Sequence, residues 1–191
     1  MIRAGDSIEN PVTGERLIFH QTSSDTRGER VVFETVVQPH GFVAAAHVHP
    51  FQEERFHVLA GRVGFRVGRK RFEAGAGERL VVPLGTPHKF WNAGDEAARF
   101  LCEVRPALQF EQLIETMFGL AAAGRTNRKG MPNPLQLAVV ARHHFDDVRL
   151  PFPPAPVQRL GLAIGAPLGR LLGYQPAFAP DPAPISFAEA A

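Results

Sequence analysis

Residues 41–61 read GFVAAAHVHPFQEERFHVLAG, and residues 77–92 read GERLVVPLGTPHKFWN. Among the histidines and glutamates of these two stretches, four side chains stand at telling distances from glycines and prolines, which favour turns. The candidate ligands are His47, His49, Glu54 and His88. Three imidazoles and one carboxylate suit a divalent first-row transition metal. Since neither stretch contains a cysteine, a structural zinc site of the Cys-rich kind is excluded.

The spacing predicts that these four side chains meet in one pocket. His47 and His49 are two residues apart, and such residues point to the same face of an extended strand. Glu54 follows a polar bend that contains proline and opens the next predicted strand. His88 follows a turn rich in proline and glycine and opens another strand. His57, three residues after Glu54, is predicted to face away from it.

Both stretches resemble the two motifs of the cupin superfamily at every defined position. The resemblance implies a mainly β fold, a double-stranded β-helix or jelly-roll barrel over about residues 31–105, with the metal inside. It also implies that His47, His49, Glu54 and His88 are the metal ligands. Glu53 is a neighbouring alternative for the carboxylate, but the spacing to Gly61 favours Glu54. The family includes dioxygenases, isomerases, decarboxylases, sugar-binding proteins and sensor domains, so the fold does not determine the chemistry.

Composition and charge indicate an ordinary globular protein. The chain has 191 residues, 45% of them hydrophobic and 21% charged, with a net charge of +2. This balance gives no reason to expect a nucleic-acid partner. The single cysteine, Cys102, fits a reducing compartment, and the N-terminus shows no secretory signal, so a cytoplasmic location is expected. Cys102 is interpreted as a packed strand residue.

The chain changes character after residue 105. Apolar residues recur at helical spacing over residues 110–121, 134–145 and 157–172, and Asn133-Pro134 is a typical helix start. We therefore predict three units: a barrel over residues 1–105, a C-terminal helical extension over residues 106–175, and a Pro/Ala-rich tail over residues 176–191. No apolar run reaches the roughly 20 residues of a membrane span.

Two features of the extension bear on its partners. Glycines recur every fourth residue, at Gly161, Gly165, Gly169 and Gly173. In a helix they would form a smooth ridge that another backbone can approach closely, so the extension is expected to cover the barrel and contribute to a homodimer. Pro167 is expected to kink or split this helix. The pairs His143-His144 and Asp146-Asp147 are interpreted as a solvated helix end.

Three functions are compatible with the pattern. The favoured hypothesis is a metal-dependent dioxygenase that acts on a small apolar or aromatic substrate, with one Fe, Mn, Ni, Cu, Co or Zn ion per chain. Glu54 would then serve as a catalytic base as well as a ligand. A non-catalytic module that binds or senses a small molecule is the main alternative. An isomerase of sugars or other small molecules is a further one, and it would need an additional acid/base pair that the sequence does not identify.

Overall fold

Nine strands form two facing antiparallel sheets, and three helices follow them within residues 2–178, the part of the chain that this computed structural model describes. The strands are β1 (Ser7–Asn10), β2 (Glu15–Gln21), β3 (Val31–Val37), β4 (Glu53–Ala60), β5 (Arg62–Val67), β6 (Lys70–Gly75), β7 (Arg79–Val82), β8 (His88–Asn92) and β9 (Ala98–Arg105). The helices are α1 (Phe110–Ala122), α2 (Pro134–His143) and α3 (Ala155–Leu171).

The sheet topology is that of a jelly-roll. The larger sheet has the strand order β1-β2-β3-β9-β4-β7, and the smaller has the order β6-β5-β8. Isolated bridges from Phe42 to Trp91 and from His47 to His88 add the segment 42–48 to the edge of the smaller sheet. Strands distant in sequence, such as β3 and β9, are thus neighbours in space, as in a double-stranded β-helix. The predicted fold class, mainly β with a C-terminal helical extension, is confirmed.

The core lies between the two sheets because their strands alternate. In β9 the side chains of Ala98, Phe100, Cys102 and Val104 are buried, and those between them are partly or fully exposed. Phe56, Phe65 and Phe90 pack around Phe100 with ring centroids 5.1–6.5 Å apart. Each buried aromatic ring contributes apolar burial together with a favourable tilted geometry. This aromatic cluster closes one part of the barrel and leaves the rest open as a cavity.

The N-terminal edge of the larger sheet is formed by a short strand. β1 occupies this edge, and β2 lies inside the sheet, paired to β1 and β3. β1 has the sequence SIEN, with a single apolar residue. Such a short strand gives no alternating pattern to detect, and its place is determined by pairing with β2.

The helices begin at or near the positions predicted from the sequence. The side chain of Asn133 accepts hydrogen bonds from the backbone N–H groups of Leu135 and Gln136, which caps α2. α3 is one helix that runs through Pro167, so of the two expected effects, a kink or a split, the split does not occur. Pro167 removes the N–H that would bond to the carbonyl of Ala163, and the Arg142 guanidinium lies 3.5 Å from that carbonyl oxygen.

The glycine ridge packs within the chain. A Cβ atom at Gly169 would lie 2.6 Å from the carbonyl oxygen of Leu135, and one at Gly165 would lie 3.1 Å from Ala138, so both glycines allow close approach of α2.

In the described part of the chain, no helix is long and apolar enough to cross a membrane. The predicted tail, residues 176–191, lies largely outside the described residues.

Candidate metal centre

The four predicted ligands come together at one point inside the barrel. His47 and His49 lie on the extended segment after Phe42, Glu54 lies on β4, and His88 opens β8. One potential ligand atom from each residue lies within 4.8 Å of the others. His49, Glu54 and His88 are buried, and His47 is half-buried. The four predicted residues therefore form a group that could hold a metal ion.

A backbone bridge places two of the histidines side by side. The N–H of His47 donates to the carbonyl of His88 over 3.0 Å, and the N–H of His88 donates back over 2.9 Å. In such a pair the two side chains point to the same face of the sheet. The ring centroids of His47 and His88 are 4.3 Å apart. The sequence predicted a regular strand at His47, whereas the structure has an extended segment with isolated bridges.

The Nδ1 atoms of His47 and His88 each form a hydrogen bond with a backbone carbonyl. Nδ1 of His47 lies 2.9 Å from the carbonyl oxygen of Ala45, and Nδ1 of His88 lies 3.0 Å from that of Thr86. A carbonyl only accepts, so each Nδ1 carries the proton and donates. Nε2 is then the atom of each ring that is available to a metal when the ring is neutral.

His49 is held by two acceptors from different parts of the chain. Its Nδ1 lies 2.9 Å from Oε1 of Gln52 and 2.7 Å from the backbone carbonyl of Asp147. The Gln52 amide nitrogen donates to the carbonyls of Pro106 and Ala107, which fixes Oε1 toward His49. The proton of His49 is therefore on Nδ1, and Nε2 faces the cluster as in the other two rings.

Glu54 lies between the histidines. Its Oε1 is 3.6 Å from Nε2 of His49, and its Oε2 is 2.5 Å from Nε2 of His88. Within residues 2–178, Oε2 of Glu54 and Nε2 of His88 are buried without a hydrogen bond of acceptable geometry. Buried polar atoms are normally satisfied. Two inward-facing atoms of the ligand set thus lie 2.5 Å apart without a well-directed hydrogen bond, and such a His/carboxylate group fits a divalent transition ion.

The electrostatics of the cluster favour an ionised carboxylate. Burial by itself raises the pKa of Glu54, but His49 and His88 outweigh that effect and lower the pKa to about 2. Burial, with the neighbouring His88 and His49, lowers the pKa of His47 to about 3. For His88 burial lowers the pKa, but the attraction of Glu54 prevails and the pKa is raised. Glu54 is therefore anionic and His47 neutral at neutral pH, the states in which both act as ligands.

The other sequence candidates near the cluster take no part in it. Glu53 faces outward, and its Oε1 accepts a hydrogen bond from Arg55 over 2.7 Å. His57 is half-buried on the outer face of β4, as predicted. Cys102 is buried near Glu54, and burial, with Glu54 and Glu103 adding to it, raises the pKa of its thiol well above the usual value. Cys102 is thus a packed thiol, not a nucleophile.

The interpretation of His143-His144 and Asp146-Asp147 as a solvated helix end was wrong for one member of each pair. His144 and Asp147 are buried, and Nδ1 of His144 donates to Oδ2 of Asp147 over 2.8 Å. The other carboxylate oxygen of Asp147 accepts the backbone N–H of Gln109 over 2.9 Å. The turn after α2 folds inward because these contacts anchor it. Gln52 and Asp147 are therefore supporting residues that sequence reasoning missed.

A large apolar cavity adjoins the cluster. Its volume is about 1270 Å³, and His47, His49 and Glu54 lie in its wall. The barrel and the helical extension share the rest of the lining, which includes Leu17, Phe33, Phe90, Phe100, Phe110 and Met117. An organic molecule with apolar surface could therefore lie against the helices while one end reaches the cluster.

Comparison with known proteins identifies the barrel. Residues 33–104 match the family described as Cupin domain. Polyketide synthase CurC from Streptomyces cyaneus is 35% identical over 60 residues, 31% of this chain and 39% of that protein. An uncharacterised protein from Methanocaldococcus jannaschii is 28% identical over 85 residues, 44% of this chain and 68% of that protein.

Among solved structures, a predicted oxalate decarboxylase from Thermotoga maritima is 18% identical with a TM-score of 0.49, covering 56% of this chain and 98% of that one. The aligned part spans well under half of the Streptomyces protein. The two sequence motifs, the jelly-roll topology and the family match agree that residues 33–104 of this chain form a cupin domain.

Proposed function

We propose that this protein is a metal-dependent dioxygenase for a small, largely apolar or aromatic organic substrate. One observation carries the proposal: a buried three-histidine, one-carboxylate cluster opens onto an apolar cavity of about 1270 Å³. His47, His49, Glu54 and His88 would hold one divalent ion, of the Fe, Mn, Ni, Cu, Co or Zn group. Such an ion supplies Lewis-acid polarisation and, for the redox-active metals, electron transfer.

Side chains around the cavity would position a substrate for this chemistry. Phe33, Phe90 and Phe110 line the cavity, and apolar walls exclude water and orient an aromatic substrate by its faces. Glu54 is the carboxylate of the cluster, and it lies in the wall of the cavity. With its pKa lowered to about 2 it is ionised at neutral pH. It would act as a base for a substrate hydroxyl proton once it is displaced from the histidines that lower this pKa.

The test is to prepare the metal-free protein and load it separately with each candidate ion. Oxygen consumption is then followed with a panel of phenols and diketones, and bound metal is counted in each sample. We expect one ion per chain and turnover with at least one redox-active metal. Glu54→Gln should abolish turnover, whereas His57→Ala, on the outer face of β4, should retain it. An absence of oxygen consumption with every metal and substrate would overturn the dioxygenase proposal.

A second candidate, a ligand-sensing module, is favoured by the contact between the cluster and the extension. Asp147, in the turn after α2, accepts a hydrogen bond from His49 of the cluster. A molecule that shifts His49 would therefore act directly on the helices. This candidate predicts tight ligand binding that changes protease sensitivity of residues 125–150 without consuming oxygen.

A further inference from the structure

Glu15 is a buried carboxyl group far from the metal cluster. It begins β2 on the same face as Leu17 and Phe19, both of which point into the barrel. Only 6% of its surface is exposed, yet it lies in the wall of the cavity that also contains His47 and Glu54.

The carboxyl group of Glu15 has no cationic partner within residues 2–178. Burial raises its pKa to about 7, and the nearby Thr13 hydroxyl only partly opposes this rise. That buried hydroxyl makes no hydrogen bond of good geometry in the described chain. Placing a carboxyl group in an apolar wall without full compensation is costly. Polar groups of this kind are typical of ligand sites, where the ligand supplies the missing hydrogen bond.

The strand register places Glu15 and Glu54 at opposite ends of the larger sheet along the strand direction. Glu54 is opposite Val104 of β9, which is opposite Val31 of β3. Glu15 is opposite Val37 at the other end of β3. At about 3.3 Å per residue, Val31 and Val37 are separated by roughly 20 Å of strand. The two carboxyl groups thus mark two distant polar ends of one cavity.

The wall between these ends is mainly apolar. Leu17, Phe33 and Phe100 occupy the intervening inward positions of β2, β3 and β9, and all three line the cavity. A small polar molecule would leave this apolar surface in contact with water. The shape and chemistry instead suit an elongated apolar molecule with a polar group at each end.

We propose that Glu15 is a specificity-determining residue that recognises a hydroxyl group at the far end of an elongated, apolar ligand whose near end binds at the metal cluster. The inference rests on the proposed function only for the placement of the near end. A hydroxyl is the fitting partner because it donates to the ionised carboxylate and accepts from the protonated one. Glu15 therefore selects the ligand and takes no part in the reaction at the other end.

The test uses two matched probes on protein loaded with Zn²⁺: a catechol with a linear alkyl chain, and the same catechol with a hydroxyl at the end of that chain. Catechol oxygens bind divalent metals, so both probes share the near end. Affinities are measured by calorimetry across a series of chain lengths. At the optimal length we expect the hydroxylated probe to bind about tenfold more tightly, the effect of one well-placed buried hydrogen bond.

Glu15→Met keeps a similar side-chain volume and removes both oxygens, so it should remove this preference or reverse it. Arg16→Met, at the neighbouring exposed position of β2 outside the cavity lining, is the matched control and should retain the preference. The inference is overturned if the parent binds both probes equally or binds neither, or if Glu15→Met still prefers the hydroxyl. Zn²⁺ is redox-inert and binding needs no turnover. Failure of the dioxygenase proposal would therefore leave this preference measurable, and loss of the preference would leave oxygen consumption intact.

Discussion

The Nδ1–H of His49 donates to the backbone carbonyl of Asp147 over 2.7 Å, across a sequence separation of 98 residues. A candidate metal ligand of the barrel is thus oriented by the helical extension. Outer contacts of this kind fix the tautomer and direction of a ligating histidine. The extension is therefore part of the metal centre's support, as well as a cover for the barrel.

The first prediction concerns Asp147→Ala. The Asp147 side chain holds its own turn through His144 and the backbone N–H of Gln109. Without this side chain, the backbone carbonyl of Asp147 that orients His49 should move. The affinity for Zn²⁺ should then fall about 10- to 100-fold, as is usual when a ligating histidine loses the group that orients it. Competition with a chelator of known affinity measures this change.

Asp146→Ala is the matched control, because Asp146 is an exposed neighbour of the same charge. It should leave the Zn²⁺ affinity within about twofold of the parent. If Asp147→Ala also bound Zn²⁺ with parental affinity while remaining folded, the extension would have no part in positioning His49.

The second prediction concerns Glu15 and pH. Its pKa rises from the ordinary 4.5 to about 7 on folding, so between these values the folded state binds more protons than the unfolded state. The free energy of unfolding therefore falls as pH rises through this window. Glu15→Gln mimics the protonated form and does not titrate, so it should be more stable than the parent above about pH 7, by up to about 3 kcal/mol.

Urea unfolding near pH 5 and near pH 8 checks this expectation. The advantage of Glu15→Gln should be small at the lower pH and largest at the higher one. Glu9→Gln, on the exposed edge strand β1, should show no such trend. An advantage of Glu15→Gln that is constant with pH would mean that Glu15 keeps an ordinary pKa in the folded protein.

The sequence allowed the ligand cluster to be predicted because its determinants are local. His47 and His49 share a face through their two-residue spacing, and turns that contain proline or glycine precede the strands that carry Glu54 and His88. Glu15 and Asp147 could not be found in this way. Glu15 matters because β2 faces the same cavity as a strand far along the chain, and Asp147 because a turn beyond α2 folds back onto His49. Both relationships arise only from tertiary packing.

The third prediction concerns the α2–α3 contact. The glycine ridge was visible in the sequence, but the helix that packs on it was not. A Cβ at Gly169 would lie 2.6 Å from the carbonyl oxygen of Leu135 and 2.6 Å from Val139. At such distances the backbone of α2 would have to move to admit a Cβ atom. Gly169→Ala should therefore lower the free energy of unfolding by about 1–3 kcal/mol.

Gly161→Ala provides the matched control on the same helix. No heavy atom outside its local surroundings lies within 4 Å of a Cβ at this position. Alanine should therefore stabilise α3 by up to about 1 kcal/mol through its higher helix propensity. Thermal unfolding of the two variants should shift in opposite directions, and a shift in the same direction would contradict the close packing of Gly169 on α2.

The last prediction concerns assembly, which we propose is a homodimer. Leu160, Ile164 and Leu168 recur every fourth residue on α3, and their exposed fractions are 66%, 61% and 49%. A contiguous apolar stripe of this kind favours burial against a partner, and a second copy would supply an identical stripe. The parent should have the mass of a dimer by light scattering. Leu160→Lys should shift it to a monomer without loss of Zn²⁺ binding, whereas Arg159→Lys should remain dimeric. A parent protein that stays monomeric at high concentration would exclude this interface.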